Sequence, residues 1–258
     1  MTPGSLPKTK PCILTELRGE RWLSRGLSKS YGGLVPLIDR GGRNKMSRRA
    51  KLGLERQSID IFQSTARFFA TQAEELALRD DFIALCVLRH YAVPTRLLDW
   101  SMSPYVAAYF AVCDHDPEDG EIWSFNEPLY EEVGKQQWTK WPETTRDDGS
   151  GHKTFDPNVT AFTLDEPPDW FMCAFYPPAF PRQHAQQGVY TLTARFGRDH
   201  ADAIADPFND KSQHHHYVIS ATLRPDLRKL LREKHGIWHG SLLPDAAGAA
   251  DTARVLFG

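Results

Sequence analysis

Residues 90–104 read HYAVPTRLLDWSMSP, a stretch in which one helix is expected to end and another to begin. Pro94 cannot continue the first helix, because proline lacks an N–H and its ring clashes with the preceding turn. Ser103 followed by Pro104 is typical of a helix start, with serine as the cap and proline at the first helical position. The N-terminus of such a helix presents unpaired N–H groups and the positive end of a dipole. The stretch therefore predicts a binding site for a phosphate or another anion.

Arg96 and Asp99 are oppositely charged side chains in the middle of this stretch. Arg96 is placed to assist in binding a phosphate, and Asp99 to accept hydrogen bonds from the hydroxyls of a ribose. The alternative is structural: Arg96 and Asp99 form an ion pair, and Ser103 acts only as a helix cap. The residues of the stretch leave both interpretations open.

Helices are expected mainly in the first half of the chain and strands mainly in the second. Apolar residues at helical spacing predict one helix that begins at a Ser58 cap and another over residues 81–91. A strand is expected near residues 21–26. Short runs rich in β-branched and aromatic residues predict further strands at residues 121–125, 171–176, 189–194 and 217–223. This pattern indicates an α+β fold with a mostly antiparallel sheet.

The domain organisation follows from the same reading of the chain. Residues 1–16 contain three prolines and are expected to form a loose leader, and residues 17–258 are expected to form a single domain. No apolar run approaches the about 20 residues that span a bilayer, and the N-terminus lacks an apolar signal core. We therefore expect a cytoplasmic protein without a membrane contact.

A metal site is not expected. The four cysteines lie far apart without a C-x-x-C pair, which argues against both a zinc cage and a disulfide framework. Residues 214–216 are three consecutive histidines, but adjacent side chains on a strand point to opposite faces and cannot share one ion.

The net charge of −2 conceals a strong asymmetry along the chain. Residues 1–56 carry 13 Lys and Arg against 4 Asp and Glu, whereas residues 57–258 carry 18 against 29. The segment 40–56 could neutralise the phosphates of a nucleic acid, or it could be a solvated loop that pairs with the acidic remainder. The nucleic-acid interpretation rests on five residues: Arg43, Lys45, Arg48, Arg49 and Lys51.

Two further segments complete a family resemblance. Ser24-Arg25-Gly26 lies at the end of the first predicted strand, and Gln186, Gly188 and Tyr190 form a later Q-x-G-x-Y pattern. Together with residues 90–104, they resemble the FRG domain, named for a Phe-Arg-Gly motif. The long motif of that family, H-Y-G-x-P-T-R-L-L-D-W-T-x-S-P, differs here by an alanine at position 92 and a serine at position 101. The resemblance extends over about residues 20–250.

The resemblance implies a fold and an activity. The order of the FRG motifs is similar to that of ADP-ribosyltransferases, which have a split sheet and use NAD as a substrate. By this analogy Arg25 grips the diphosphate, Asp99 opposes positive charge on the ribose, and Gln186 or Gln187 belongs to the region that governs transfer. The remaining residues implied in nucleotide binding are Ser24, Gly26, His90, Tyr91, Arg96, Trp100, Ser101 and Ser103. A role in a toxin or in phage defence follows only from the same analogy.

The late motif departs from the typical transferase. Such enzymes use a glutamate there, whereas this chain has the neutral Gln186 and Gln187, which supply no negative charge. The first hypothesis is therefore an enzyme that transfers ADP-ribose from NAD to an acceptor, for which the basic segment suggests a nucleic acid. The second is a module that binds a nucleotide or a nucleic acid without turnover. A third and weaker hypothesis is a metal-independent hydrolase built on His90 and Asp99.

Overall fold

The computed structural model describes 14 parts of the chain. They are residues 4–5, 21–68, 74–114, 117–138, 145–147, 149–150, 153–164, 166–167, 169, 171–174, 181–205, 213–244, 248–250 and 253. The predicted leader, residues 1–16, lies outside the described residues except for positions 4 and 5.

A seven-stranded sheet with the order β1-β9-β4-β2-β3-β8-β7 forms the centre of the molecule. Its strands are β1 (Gly4–Ser5), β2 (Trp22–Leu27), β3 (Leu97–Ser101), β4 (Gly120–Asn126), β7 (Phe171–Ala174), β8 (Gly188–Thr193) and β9 (His214–Ile219). All neighbouring strands run antiparallel except the short β1, which pairs with β9 in parallel. A separate hairpin pairs β5 (Thr145–Asp147) with β6 (Lys153–Phe155). The predicted α+β class with a mostly antiparallel sheet is confirmed.

Eight α-helices are described. They are α1 (Arg48–Ala66), α2 (Asp81–His90), α3 (Pro104–Val112), α4 (Glu127–Trp138), α5 (Pro181–Ala185), α6 (His200–Ala205), α7 (Arg224–His235) and α8 (His239–Leu242). Short 3₁₀ turns cover Leu37–Asp39, Gly41–Lys45, Glu75–Leu78 and Ala221–Leu223, and a π-helical turn covers Val159–Thr163. Helix α2 confirms the prediction at residues 81–91, and α3 confirms the predicted helix start, with Ser103 as its cap and Pro104 as its first residue.

The helix predicted from a Ser58 cap begins eleven residues earlier, so that boundary was wrong. Ser47 is the cap, and α1 starts at Arg48. The buried face of the first turns of α1 is formed by Lys51 and Glu55, two charged residues that hydrophobic periodicity does not register. The strand predicted at residues 217–223 also starts earlier, because β9 includes all three consecutive histidines.

The large sheet splits between β2 and β3. These strands share a single registered pair, Ser24 with Ser101, whereas β2 and β4 share six pairs and β3 and β8 share five. Helix α3 packs against β2 beside this split, and Gly26 permits the close approach. A Cβ atom at Gly26 would lie 1.8 Å from the carbonyl oxygen of Ala107 in α3. The strands therefore diverge beside α3 and leave room for a cleft.

Candidate functional site

A cleft of about 310 Å³ lies where β2 and β3 separate. The end of α2, the helix α3 and the turn before β8 form its other walls. Eight of the predicted site residues line it: Ser24, Arg25, Gly26, His90, Asp99, Trp100, Ser101 and Gln186. The cleft thus brings together residues that lie up to about 160 positions apart in the sequence, between Ser24 and Gln186.

Asp99 lies between two arginines in this cleft. Nε of Arg89 donates to Oδ2 of Asp99 at 2.9 Å, and the second guanidinium nitrogen of Arg89 also donates to this oxygen. NH1 of Arg25 donates to the backbone carbonyl of Asp99 and lies 3.6 Å from Oδ2. Burial opposes ionisation of Asp99, but the charges of Arg89 and Arg25 outweigh it and hold the pKa of Asp99 below its ordinary value. Asp99 is therefore a carboxylate at neutral pH.

Arg25 is held at the wall of the cleft, and its side chain is only 14% exposed. Burial lowers the pKa of Arg25 to about 10, because the charged form loses hydration that Asp99 only partly replaces. The guanidinium still carries its charge at neutral pH. Its Nε atom has no hydrogen-bond partner within the part of the chain that the structure describes. Arg25 therefore has one buried donor without a partner among the described residues, next to the carboxylate of the cleft.

Arg89 is a functional candidate that the sequence reading missed. Burial lowers the pKa of Arg89, but the charge and the hydrogen bonds of Asp99 raise it by more, so the pKa lies above its ordinary value. Arg89 immediately precedes His90, the first residue of the long motif. This adjacency was the one sequence signal for a role of Arg89 in the site. The signal is weak, because basic residues are common in the last turn of a helix, where they complement the helix dipole. Arg182 and Gln183 also line the cleft and were not assigned a role from sequence.

Arg40 adds a third positive charge near Arg25 and Arg89. Burial, followed by the charge of Arg89, lowers the pKa of Arg40, and the charge of Arg40 in turn lowers the pKa of Arg25. Asp99 is the only carboxylate among the described residues that line the cleft. The site consequently has an excess of positive charge, which suits a ligand with more than one negative charge.

The hydroxyls of the three serines predicted for the site form hydrogen bonds with other parts of the protein. Ser24 and Ser124 share a hydrogen bond between their hydroxyls at 2.8 Å. Ser101 donates to the carbonyl oxygen of Gln186 at 2.7 Å and accepts from the backbone N–H of Ser103 at 3.0 Å. The hydroxyl of Ser103 accepts from the N–H of Val106 and caps α3, and Ser103 does not line the cleft. These contacts fix the turn between β3 and α3.

Arg96 does not have the expected position. Its side chain is fully buried, and its Nε donates to Oε2 of Glu55 at 2.9 Å. The Arg96 guanidinium also lies 3.9 Å from the centre of the Phe196 ring. Both the phosphate-binding role and the alternative ion pair with Asp99 are therefore wrong, because Glu55 of α1 holds Arg96 away from the cleft.

The two aromatic candidates also differ from the expectation of an open stacking surface. Trp100 is 3% exposed, and its indole N–H donates to Oγ1 of Thr191 at 2.7 Å. Tyr91 is 58% exposed, but it does not line the cleft, and its hydroxyl donates to Glu74 at 2.8 Å. Neither ring therefore offers an open face to a ligand in the cleft. Ala92 has φ +60°, which explains why glycine suits this position of the family motif.

The two glutamines of the late motif have different surroundings. Nε2 of Gln186 donates to the carbonyl oxygen of Leu242 at 3.1 Å, and Gln186 lines the cleft. Gln187 has φ +48°, and its carbonyl accepts from the N–H of Met102 at 3.0 Å. Gln187 does not line the cleft, so of the two only Gln186 keeps a position compatible with the predicted role.

Three of the five basic side chains on which the nucleic-acid interpretation rests have partners inside the protein. Lys51 is buried and donates to Asp39 at 2.6 Å. Arg43 donates to the carbonyl of Leu37, and Arg48 donates to the carbonyls of Leu164 and Ala194. Of the five proposed contacts, Lys45 and Arg49 are exposed. Only the partners of Arg48 lie far away in the sequence, and binding of a nucleic acid by this segment stays a prediction.

The described residues contain no group of three or more His, Cys, Asp or Glu side chains that could hold a metal ion. Across the same residues, no helix has the length and apolar character needed to cross a membrane.

Comparison with known proteins identifies one family. Residues 20–120 match the model of the FRG domain, which confirms the predicted resemblance over this part of the chain. The matched range contains Arg25, Arg89 and Asp99. No curated protein and no solved structure matches the chain.

Proposed function

We propose that this chain, which carries an FRG domain over residues 20–120, binds NAD in the cleft and transfers its ADP-ribose to an acceptor. The observation that carries the proposal is the placement of Arg25 and Arg89 on either side of a single carboxylate, Asp99. The diphosphate of NAD carries two negative charges. Arginine forks bind phosphate oxygens through paired hydrogen bonds, and both Arg25 and Arg89 line the cleft.

In the proposed reaction, the bond between C1′ of the ribose and the nicotinamide nitrogen breaks. The bonding electron pair leaves with nicotinamide, which becomes neutral, and positive charge develops on C1′ and the ring oxygen of the ribose. An acceptor nucleophile then forms a bond to C1′ and loses a proton to solvent. If water is the acceptor, the products are ADP-ribose and nicotinamide.

Asp99 is the proposed source of the negative charge that this transition state needs. Its lowered pKa keeps it ionised at neutral pH, and its side chain is 43% exposed at the cleft. A fixed negative charge close to a developing cation lowers the barrier most in a site that excludes water. Asp99 would thus take over part of the role that a glutamate plays in typical transferases.

The architecture supports an ADP-ribosyltransferase-like fold as the finer description. The sheet is largely antiparallel and splits beside Arg25, which lies on the first long strand. The Ser101–Ser103 turn follows the neighbouring strand, and Gln186 lies on the opposite wall of the cleft. A setting in a toxin or in phage defence is proposed only by analogy with the family.

A second candidate is a nucleotide-binding module without turnover. The observation that favours it is the engagement of Asp99, whose charge is already compensated by Arg89 and Arg25. The neutral Gln186 is the residue of the late motif that lines the cleft, and it adds no charge. Such a site would bind a dianionic nucleotide and leave the C1′–N bond intact.

Measurement of free nicotinamide after incubation with NAD separates these candidates. The wild-type protein is expected to bind NAD and to release nicotinamide, and Arg25→Ala is expected to lose both. Arg232→Ala, which changes an exposed arginine on α7, is the matched control and is expected to behave as wild type. Binding of NAD without nicotinamide release would support the binding module. Equal NAD binding by wild type and Arg25→Ala would contradict the role of the cleft in both candidates.

A further inference from the structure

The cleft is small for a dinucleotide. Its volume of about 310 Å³ lies at the lower end of the about 300–1,000 Å³ that is usual for small-molecule pockets. NAD consists of two nucleotides joined through their phosphates. If the reacting half of NAD lies in the cleft, the other half must therefore contact the surface beyond it.

The loop after β2 provides such a surface. Tyr31 lies four residues after the end of β2, the strand that carries Arg25, and is 49% exposed. The guanidinium carbon of Arg40 lies 5.3 Å from the centre of the Tyr31 ring. We call Tyr31 and Arg40 the shelf. An aromatic ring beside an arginine plane is the usual platform on which a nucleic-acid base stacks.

The shelf is anchored to the rest of the protein. Nε of Arg40 donates to the carbonyl oxygen of Val35 at 2.7 Å. The backbone N–H of Leu34 donates to Oδ1 of Asp199 at 2.8 Å, and the same carboxylate oxygen accepts from the N–H of Ala201 in α6. The loop that carries Tyr31 and Arg40 is therefore held in place, which reduces the entropy lost when a base binds.

The loop that carries the shelf also contacts the segment that leads to Asp99, although neither Tyr31 nor Arg40 lines the cleft. The backbone N–H of Ile38, two residues before Arg40, donates to the carbonyl oxygen of Thr95, four residues before Asp99, at 3.4 Å. The charge of Arg40 also lowers the pKa of Arg25. A ligand whose diphosphate contacts Arg25 and Arg89 would therefore lie near Arg40, whose guanidinium carbon is 5.3 Å from the centre of the Tyr31 ring. This order matches the order of diphosphate and terminal base in NAD.

From this arrangement we propose that the shelf formed by Tyr31 and Arg40 binds the adenine ring of NAD. This assignment rests on the proposed function, because it takes NAD as the ligand of the cleft. It adds a separate binding site for the base that does not react. It also implies that the protein distinguishes NAD from nicotinamide mononucleotide, which lacks the adenosine monophosphate half.

The test compares the affinities of the full-length protein for NAD and for nicotinamide mononucleotide. Tyr31→Ala is expected to weaken NAD binding by about 5- to 150-fold, the range for loss of one stacked base, and to change nicotinamide mononucleotide binding by less than about twofold. Tyr31→Phe keeps the ring and is expected to bind NAD as wild type does. Ile61→Ala, which changes an exposed apolar residue on α1, is the matched control.

The possible results separate this inference from the proposed function. If wild type binds NAD and Tyr31→Ala binds it equally well, the assignment of adenine to the shelf is wrong and the assignment of NAD to the cleft stands. If Tyr31→Ala weakens both ligands equally, the loop supports the cleft in general and the adenine assignment is also wrong. If wild type binds neither ligand, the proposed function is wrong, and so is the assignment of adenine to the shelf.

Discussion

Nε of Arg96 lies 2.9 Å from Oε2 of Glu55, and both side chains are fully buried. Oε1 of Glu55 also accepts from the backbone N–H of Arg96 at 2.9 Å. The pair joins α1 to Arg96, which immediately precedes β3 and lies three positions before Asp99. The arginine of the long motif thus fixes the strand that carries the carboxylate of the cleft.

Removal of one charge from this pair is expected to be strongly destabilising. Glu55→Gln leaves Arg96 as an uncompensated buried charge, which typically costs about 3–5 kcal/mol of unfolding free energy. Chemical denaturation measures this loss. Glu233→Gln is the matched control, because Glu233 forms an exposed pair with Lys229 at 4.0 Å and such pairs contribute about 0–1 kcal/mol. Similar losses in the two variants would contradict the structural role of the Arg96–Glu55 pair.

Two glycines provide a test of how closely α3 packs against β2. Gly26→Ala would bring a Cβ to 1.8 Å from the carbonyl oxygen of Ala107, so the strand and the helix must separate. We expect a loss of about 1–3 kcal/mol, as for other overpacked sites. Gly53→Ala lies in α1 with open space around its Cβ and is expected to gain about 0.5–1 kcal/mol from helix propensity. Melting temperatures that move in the same direction for both would contradict this packing.

The parts of the fold that depend on neighbouring residues in the sequence could be predicted. The start of α3 follows from Ser103 and Pro104, and its position next to β3 follows from their adjacency in the sequence. The start of α1 could not be predicted, because Lys51 and Glu55 look like surface residues. They are buried only through Asp39 and Arg96, whose positions depend on the tertiary structure.

In the site, too, local motifs were informative and tertiary contacts could not be predicted. Arg25 and Asp99 were identified from motifs, and the structure brings them into one cleft. The partner of Asp99 was not identified, since Arg89 comes from the end of α2 and Arg96 was nearer in the motif. Arg89 reaches Asp99 from the last turn of α2, whereas Glu55 of α1 holds Arg96 away from it, and sequence spacing does not reveal this.

The ion pair of Asp99 predicts a dependence of stability on pH. Because the pKa of Asp99 is lower in the folded protein, its contribution is fully present above the unfolded value of about 3.9 and is lost as the pH falls through the lower folded value. The difference in unfolding free energy between wild type and Asp99→Asn is therefore expected to be larger at pH 7 than at about pH 3. Urea denaturation at both pH values measures it. A difference that stays constant between the two would contradict the paired state of Asp99.

The exposed part of the basic segment gives a test of a nucleic-acid acceptor. If Lys45 and Arg49 contact phosphates, their joint replacement by glutamine should weaken binding of a nucleic acid and reduce its salt slope by about 2. Joint replacement of Lys229 and Lys234 on α7 removes the same charge elsewhere and serves as the control. Wild-type protein that does not bind a nucleic acid even at low salt would exclude this acceptor surface.

The most direct test of NAD cleavage in this cleft is the rate of nicotinamide release by Asp99→Asn, measured with NAD affinity on the same folded preparation. The substitution keeps the size of the side chain and removes its charge. We expect the rate to fall by about 100-fold or more, because the charge acts on the transition state, while NAD binds as tightly as before or more tightly. A folded Asp99→Asn protein that releases nicotinamide at the wild-type rate would contradict the account.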